Sequence, residues 1–277
     1  MDYENRPVPE GINVSRTHPL ADFAWLLAVV GIIVTLVVLA LSLAAGWLAQ
    51  QVPFEQEVRW AQVMPMSSPA AEQQDERTRA WLQALTDKLV AAHPLPDGMH
   101  VQVHYVEDDD VVNAYATLGG NVVVFSGLLR ALESENAVAM VLAHEIAHIR
   151  HRDPIVALGR GVAVALGLSA MGGMADSGLA QNMVGNVGLL TVLSFSRRQE
   201  TRADEDALVA MQAHYGHLGG ADSLFAWLQA HTGPTVPEFF ATHPLTDDRL
   251  DRIREAAQGS TGGVPSPLPE WLALPSP

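Results

Sequence analysis

The sequence predicts an α+β fold that is mostly helical, with a small β-sheet and one transmembrane helix near the N-terminus. Three observations lead to this prediction: a long uncharged run early in the chain, apolar residues at helical spacing over most of the remainder, and two short runs of strand-forming residues. The chain has 277 residues, of which 48% are hydrophobic. Setting one membrane segment aside leaves about 200 residues, enough for a single well-buried domain.

Charge and cysteine content exclude several classes of function. The formal net charge of −15 argues against binding to nucleic acid, which needs a basic surface, so we expect no nucleic-acid partner. It also argues against electrostatic binding to anionic lipid headgroups. The chain has no cysteine, so it forms no disulfide, and any zinc site must use nitrogen and oxygen ligands.

The first predicted element is a membrane anchor. A polar tail at 1–22 precedes residues 23–49, which carry no charge and exceed the roughly 20 helical residues that span a bilayer core. Trp25 and Trp47 lie near the two ends, where amphipathic rings favour the membrane interface. The alternative is a cleaved signal peptide, whose apolar region is shorter, about 7–15 residues. We therefore expect a retained anchor that contacts the lipid bilayer.

The basic residues around this span predict its orientation. Arg6 and Arg16 precede the span, whereas Arg59 is the nearest basic residue after it. Because basic residues accumulate on the cytoplasmic side, this difference favours a cytoplasmic N-terminus. In a Gram-negative bacterium the protein would cross the inner membrane once and hold its large domain in the periplasm.

The next segments alternate between helix, strand and turn signals. Residues 50–70 resemble a linker, and apolar residues at helical spacing predict a helix within 71–92. Alternating residues predict a strand at 100–106. A Gly-Gly bend at 119–120 leads into a second strand, and a helix follows from about Gly127.

The second half of the chain is predicted to be mainly helical. A helix over 134–152 ends at Asp153, because a residue before proline is disfavoured in helical conformation. Two apolar, glycine-rich stretches within 161–195 predict two helices that cover the core, and a hairpin dipping into the membrane is the alternative. The remaining segments are helices at 196–213, near 219–231 and from Thr246, and a disordered tail at 259–277.

The stretch LAHEIAHIRHRDP, residues 142–154, carries the chemistry of a metal site. His144 and His148 are four residues apart, so on a helix both imidazoles project to one side and can bind one ion. Glu145 lies about 100° further around the helix and can stand beside the ion as a general base. The alternative is a pair of buried histidines that satisfy their hydrogen bonds within the core.

A catalytic zinc ion usually has three protein ligands and one open position. His151 faces roughly the same way, but a straight helix carries it about 10 Å from His144, so we expect it at the helix end instead. Glu200 and Asp204 are four residues apart in SRRQETRADEDAL. Glu200 can complete a His₂Glu ligand set, and Asp204 can accept the outer N–H of a ligating histidine. The alternative is an ordinary acidic surface helix.

Four stretches together resemble the zinc endopeptidases that include HtpX, BepA and the CAAX prenyl protease. They are NAYATLGGNVVVFSGLL, LAHEIAHIRHRD, SRRQETRADEDAL and THPLTDDR, and they cover roughly residues 71–258 in the order of that group. The resemblance implies a zincin-like peptidase domain with a sheet edge beside the active site, in a single-domain, membrane-tethered bacterial member. It implies one Zn²⁺ per chain on His144, His148 and Glu200, with Glu145 as base and Asp204 behind a ligand.

The resemblance also implies roles for residues outside the ligand set. The strand at 120–125 would border the cleft and pair with substrate backbone, through Gly120, Asn121, Val122, Val123 and Val124. His243 would lie near the metal and either stabilise the transition state or occupy the open position. Arg249 would either stabilise the oxyanion or form an ion pair that anchors its loop.

The predicted function is a membrane-anchored, zinc-dependent endopeptidase that acts on misfolded or damaged envelope proteins. Zinc would activate water, and Glu145 would take the proton of that water and pass it to the leaving amine. The first alternative is a latent or non-proteolytic membrane chaperone whose metal is blocked by His243. The others are a structural zinc site, whose removal unfolds the domain, and the absence of a metal.

Overall fold

A computed structural model describes residues 19–63, 75–170, 195–230, 243, 246–260 and 263–272. Most of the predicted polar tail before residue 23 and most of the glycine-rich stretch 161–195 lie outside these residues. The predicted alternatives for 161–195, a helix pair that covers the core or a membrane hairpin, therefore fall mostly outside the described residues and stay predictions.

The described residues form nine helices and three short strands, which confirms the mostly helical α+β class. The helices are α1 (Pro19–Gln50), α2 (Phe54–Val63), α3 (Glu76–Ala92), α4 (Ser126–Ala131), α5 (Glu135–Arg150), α6 (Asp153–Ala170), α7 (Arg197–Tyr215), α8 (Ser223–Ala230) and α9 (Asp247–Gly259). The strands are β1 (Gln102–Val106), β2 (Ala114–Thr117) and β3 (Asn121–Phe125), and a 3₁₀ turn over Leu118–Gly120 joins β2 to β3.

Helix α1 is the one described helix that is long and apolar enough to cross a membrane. Only Gly46 and Ala49 of its 32 residues are buried, both against the rest of the chain. Large apolar side chains are exposed on all its other sides. A helix that is apolar all round is typical of an apolar environment rather than of water.

Residues 54–63, within the range predicted as a linker, form helix α2, which packs on the domain. Phe54 and Glu57 are buried. Glu57 accepts a hydrogen bond from the Gly119 backbone at 3.0 Å, and it forms an ion pair with Arg152 at 2.7 Å. The prolines and polar residues of this stretch indicated a linker. The helix is instead fixed to the domain by the contacts of Glu57 with Gly119 and Arg152, which are distant in sequence.

The three strands form one sheet in the order β1-β3-β2, so β3 is the central strand. β3 runs parallel to β1 and antiparallel to β2, and each of Asn121–Val124 has partners on both sides. The glycine bend before it is required, because a Cβ at Gly120 would lie 2.0 Å from the carbonyl oxygen of His100. Gly120 also has φ +80°, a value that favours glycine.

The position of β3 corrects the prediction that the strand at 120–125 binds substrate. Pairing with a peptide needs a strand edge whose backbone groups are not already used. Both edges of β3 are occupied along its length, and Val122, Val123 and Val124 are buried. Asn121 shares this central position, and Gly120 lies in the buried turn just before it, so the four strand residues among the five predicted to contact substrate offer no pairing edge.

Helix α5 runs through the core and is buried over nearly its whole length. It packs against α3, the sheet and α7. It ends at Arg150, and Asp153 begins α6 after a tight turn in which Arg152 has φ +59°. Pro154 therefore occupies the first turn of the next helix, where the missing N–H has no partner to lose.

The C-terminal segment is ordered over 263–272, which corrects the prediction of a disordered tail there. Ser266 exchanges backbone hydrogen bonds with the start of α5, donating to the Asn136 side chain at 2.7 Å and accepting from the Glu135 N–H at 2.9 Å. Trp271 packs edge-on against Trp81, with ring centroids 6.4 Å apart. The proline-rich composition indicated disorder, but one aromatic anchor and two hydrogen bonds hold the segment.

Candidate metal centre

Helix α5 directs two imidazoles into one buried space. The Nε2 atoms of His144 and His148 lie 3.1 Å apart, as expected for residues separated by one helical turn. Both side chains are buried. Phe195 stacks on the His148 ring at a centroid distance of 4.0 Å, and this contact shields the histidine from water.

Helix α7 brings a carboxylate to the same space. A capping box between Ser196 and Gln199 fixes the start of this helix, so Glu200 falls in its first turn. The two oxygens of Glu200 lie 3.5 Å from His144 Nε2 and 3.4 Å from His148 Nε2. The structure thus brings together the three residues predicted as metal ligands, from two helices that are adjacent only in the folded chain.

A third histidine completes the cluster. His243 Nδ1 lies 3.3 Å from His144 Nε2 and 3.2 Å from a Glu200 oxygen. His243 is fully buried. The ligand atoms of these four residues all lie within 4.8 Å of one another. The side chain predicted to lie near the metal is therefore close enough to belong to the same ligand set.

The spacing of these atoms fits a zinc ion. Zinc bonds to nitrogen and oxygen are about 2.0–2.1 Å long, so the edges of a tetrahedral shell measure about 3.3–3.4 Å. Five of the separations between these residues lie between 3.1 and 3.5 Å, and all their ligand atoms lie within 4.8 Å of one another. The donor set contains only imidazoles and carboxylate, as expected for a chain without cysteine. The cluster can accordingly hold a divalent metal ion of this size.

Each predicted histidine ligand has its outer nitrogen on an aspartate. His144 Nδ1 lies 3.0 Å from Asp204, the partner that the sequence predicted. His148 Nδ1 lies 2.9 Å from Asp153, which also accepts hydrogen bonds from the side chains of Gln199 at 2.7 Å and Arg202 at 2.9 Å. Such contacts fix the ring orientation and the tautomer of a metal-binding histidine.

Asp153 is the site residue that sequence reasoning missed. The Asp-Pro pair was interpreted only as the end of a helix. The available signal was an acidic side chain five residues after His148, just beyond the helix end, where the chain can turn back towards the ring. Recognising it needs the turn geometry, because an aspartate before proline is also an ordinary helix start.

Arg249 forms buried ion pairs with Glu200 of the ligand cluster and with Asp204 behind it. Its guanidinium donates to both oxygens of Asp204, at 2.6 and 2.8 Å, and lies 2.6 Å from Glu200. The side chain is 1% exposed. Of the two predicted roles, the geometry matches the ion pair that anchors the start of α9.

The carboxylates dominate the electrostatics of the metal-free cluster. Burial by itself lowers the pKa of His144, but Asp204 and Glu200 outweigh it and raise that pKa to about 10. Burial likewise opposes a net rise in the pKa of His148, which Asp153 and Glu200 cause. Burial favours the protonated Glu200, yet the charge of His243 and hydrogen bonds from the histidines hold its pKa well below the usual range. The cluster therefore attracts protons or a metal cation.

Glu145 lies beside the ligand cluster and is fully buried. One of its oxygens accepts a hydrogen bond from the Ala116 N–H of strand β2 at 2.8 Å. The other oxygen lies 3.4 Å from His243 Nε2. Glu145 is thus held at the edge of the sheet, and it is not one of the four residues whose ligand atoms converge.

His151 lies apart from the cluster. It is the C-cap residue of α5, and its Nε2 lies 2.9 Å from Asp206. The helix therefore carries this third histidine of the motif away from the cluster to a half-buried contact with Asp206, as the rise of a straight helix predicts.

Comparisons with known proteins agree with this arrangement. Residues 76–257 match the family model of peptidase family M48. The mitochondrial metalloendopeptidase OMA1 of Schizosaccharomyces pombe is 31% identical over 182 residues, which cover 64% of this chain and 52% of the relative. The beta-barrel assembly-enhancing protease of Yersinia pestis is 30% identical over 193 residues, covering 64% of this chain and 38% of that protein.

A further relative is matched over most of its length. A protease HtpX homolog from Burkholderia cenocepacia is 28% identical over 228 residues, covering 68% of this chain and 78% of that protein. The chain spans about half the length of the yeast relative and less of the Yersinia protein. The residues that match the family model include His144, His148, Glu200 and His243.

Proposed function

The chain belongs to peptidase family M48, and from this premise we propose that it is a membrane-anchored, zinc-dependent endopeptidase. The proposed zinc ligands are His144, His148 and Glu200, one ion per chain, with Glu145 as general base. One observation supports the proposal above the others. Ligand atoms from two separate helices lie 3.1–3.5 Å apart, and the buried carboxylate of Glu145 lies beside them.

In the proposed reaction, a bound zinc ion would lower the pKa of water to about 7 and polarise the scissile carbonyl. Glu145 accepts the proton of the attacking water and delivers it to the leaving amine. The hydrogen bond from Ala116 holds one oxygen of Glu145, so the carboxylate keeps one orientation through both steps. Asp204 and Asp153 keep the two histidine rings in the tautomer that presents Nε2.

We propose polypeptides as substrates and strand β2 as the element that pairs with them. Among the described strands, β2 is an edge strand of the sheet, whereas β3 is central. Its Ala116 already contacts Glu145, so a peptide pairing along this edge would pass beside the general base. Misfolded or damaged envelope proteins are the proposed class, because an extended segment is needed for such pairing.

The proposed location is a bacterial inner membrane with the peptidase domain, residues 71–258, in the periplasm. Helix α1 supports a single anchor by its length and composition. Arg6 and Arg16 before the span, against Arg59 after it, support the orientation.

The decisive test replaces Glu145 with glutamine in the full chain, purified in detergent. We expect casein cleavage to fall about 10²–10⁴-fold, the usual contribution of a general base, while zinc remains bound. Glu205→Gln is the matched control, because Glu205 is an exposed acidic residue on α7. Equal cleavage by the parent and Glu145→Gln would reject the proposed role.

Metal analysis tests the ligand set independently of activity. We expect one zinc per chain in the parent and substoichiometric zinc in His144→Ala and in Glu200→Ala, because each change removes one of three ligands. The same zinc content in all three proteins would contradict the proposal, whatever the cleavage assay gives.

The latent-protein alternative is favoured by one observation, the position of His243 within the ligand cluster. A fourth protein ligand would leave no open position for water. If His243 blocks the metal, His243→Ala raises casein cleavage above that of the parent. If it assists the reaction, the same change lowers cleavage at unchanged zinc content.

A further inference from the structure

The apolar helix α1 carries two markers of the membrane surface. Trp25 and Trp47 are both highly exposed, at 72% and 63%. They are separated by 22 positions, or about 33 Å along a helix, close to the thickness of a bilayer core. Indole rings favour the interface, so Trp47 marks the surface on the side of the folded domain.

Helix α6 runs back along α1 in the opposite direction. The most extensive contact between two described elements is the one between these helices. The start of α6 lies beside the end of α1, where Ile155 packs with Ala49. Gly159 lies so close to α1 that a Cβ there would meet the Ala45 carbonyl oxygen at 3.1 Å. Small residues on both helices thus allow the backbones to approach closely.

Arg160 is level with the interface marker on α1. Its Nε would lie 3.1 Å from a Cβ at Gly46, the residue next to Trp47. Arg160 is also the last charged residue of α6, since Gly161–Ala170 contains none. Val162 follows two residues later, and its side chain is 50% exposed in the described part of the chain. The backbone continues as helix to Ala170, about 15 Å past Arg160.

We propose that α6 enters the bilayer beside α1, from the level of Arg160 onward, and that lipid covers the exposed side chain of Val162. The proposal rests on the membrane anchor of the proposed function, because α1 sets the level of the bilayer. A helix that packs antiparallel to a membrane-spanning helix lies at the same depth in the bilayer as the part of that helix it contacts. An uncharged helical segment in that layer has lipid as its neighbour.

This placement brings the metal centre close to the membrane. Asp153, which holds His148, is the first residue of α6, seven positions before Arg160. Along a helix this separation is about 10 Å. The substrates that this geometry favours are polypeptide segments lying at the bilayer surface, rather than segments far out in the aqueous compartment.

Thiol labelling tests the proposal without background, because the chain has no cysteine. Three valines of nearly equal exposure receive one cysteine each: Val37 on α1 at 51%, Val162 on α6 at 50% and Val209 on α7 at 52%. The full chain is reconstituted in nanodiscs of phosphatidylethanolamine and phosphatidylglycerol, and a sulfonated maleimide is added. The thiolate is the reactive form and apolar surroundings suppress it, so we expect Val162→Cys and Val37→Cys to label at least about ten-fold more slowly than Val209→Cys.

The outcomes separate this proposal from those it rests on. Fast labelling of Val162→Cys with a protected Val37→Cys overturns the insertion of α6 and leaves the anchor intact. Fast labelling of Val37→Cys removes the anchor, and the insertion of α6 with it. Casein cleavage by each variant reports on the peptidase separately. Val164→Cys, two positions further along α6, repeats the measurement if Val162→Cys does not fold, and complete labelling in sodium dodecyl sulfate verifies that each thiol is reactive.

Discussion

His144 and His148 each use both ring nitrogens, one towards the ligand cluster and one towards an aspartate. Because of this double contact, aspartates outside the ligand cluster fix the orientation of the two histidine rings. A ring that is free to rotate presents Nε2 for only part of the time, whereas an aspartate on Nδ1 holds one orientation and one tautomer. The two aspartates differ in their own support, since Asp204 pairs with Arg249 and Asp153 with Gln199 and Arg202.

Replacing Asp153 with asparagine weakens zinc binding. The amide keeps the size of the side chain but loses the charge that increases the basicity of His148. We expect the zinc dissociation constant to rise about 10–100-fold, measured by competition with a chromophoric chelator. Asp251→Asn is the control, because Asp251 is exposed on α9. Equal affinity in the two variants would show that Asp153 does not act through His148.

Stability depends on pH in opposite directions with and without zinc. In the metal-free protein the pKa of His144 is raised from 6.5 to about 10, so its contribution is fully present below 6.5 and is lost as the pH rises towards 10. We expect the metal-free protein to lose up to about 1.4 kcal/mol per pH unit over that window from this group. The zinc-bound protein instead loses stability as the pH falls below about 6.5, because protons then compete for the ligands.

Urea unfolding between about pH 7 and pH 9 measures the metal-free slope. His144→Gln keeps a polar group but cannot take up the proton, so it should flatten the curve. If the stability of the metal-free parent rose with pH over this range, the expected sign of the His144 contribution would be wrong.

At the scale of elements, helix α2, which follows α1, is joined to two turns that border the metal centre. Glu57 accepts from Gly119 in the turn between β2 and β3, and it pairs with Arg152 in the turn between α5 and α6. The first turn follows the strand that holds Glu145, and the second precedes Asp153. One buried carboxylate therefore connects the segment after α1 to both sides of the site.

Replacing Glu57 with alanine removes both contacts and leaves Arg152 without its carboxylate. Loss of one partner from a buried ion pair costs about 3–5 kcal/mol, and because Arg152 is partly exposed we expect about 2–4 kcal/mol less unfolding free energy. Urea denaturation of the full chain in detergent checks this value. Glu55→Ala, an exposed change on the same helix, should alter stability by less than about 0.5 kcal/mol. Equal loss in both variants would mean that α2 contributes only through helix formation.

At the scale of the whole molecule, the main apolar core does not depend on the metal. It is built from α3, the sheet, α5, α7, α8 and α9, and it includes fully buried apolar side chains that are not metal ligands, such as Leu82, Leu85 and Met211. Charged ligands are a small part of the buried surface. The fold should therefore persist when zinc is removed, unlike small zinc domains that have little core of their own.

Chelation should abolish cleavage and leave the helix content unchanged. We expect the far-ultraviolet circular dichroism of the chelated protein to match that of the zinc-bound form, with a lower melting temperature because zinc binds only the folded state. Readdition of zinc should restore casein cleavage. Loss of helical signal on chelation would favour the structural-zinc alternative over a catalytic ion.

The spacing of residues along each helix could be interpreted from the sequence alone. The separation of four between His144 and His148, and again between Glu200 and Asp204, depends only on the pitch of a helix, which the chain carries locally. The rejection of His151 as a ligand followed from the same pitch. The apolar span and the helical class were predictable for a similar reason, since composition and periodicity are local properties.

What only the tertiary structure decided is which separated segments meet. The strand at 120–125 has the composition of any buried strand, and its central position follows from partners on both sides that are distant in sequence. The sequence indicated only a helix boundary at Asp153 and a linker at Glu57. In the structure, Asp153 accepts a hydrogen bond from Gln199 and Glu57 accepts one from Gly119, both from distant elements. Local sequence determines the conformation of each element, whereas pairing and burial depend on packing between elements, and packing is a property of the whole chain.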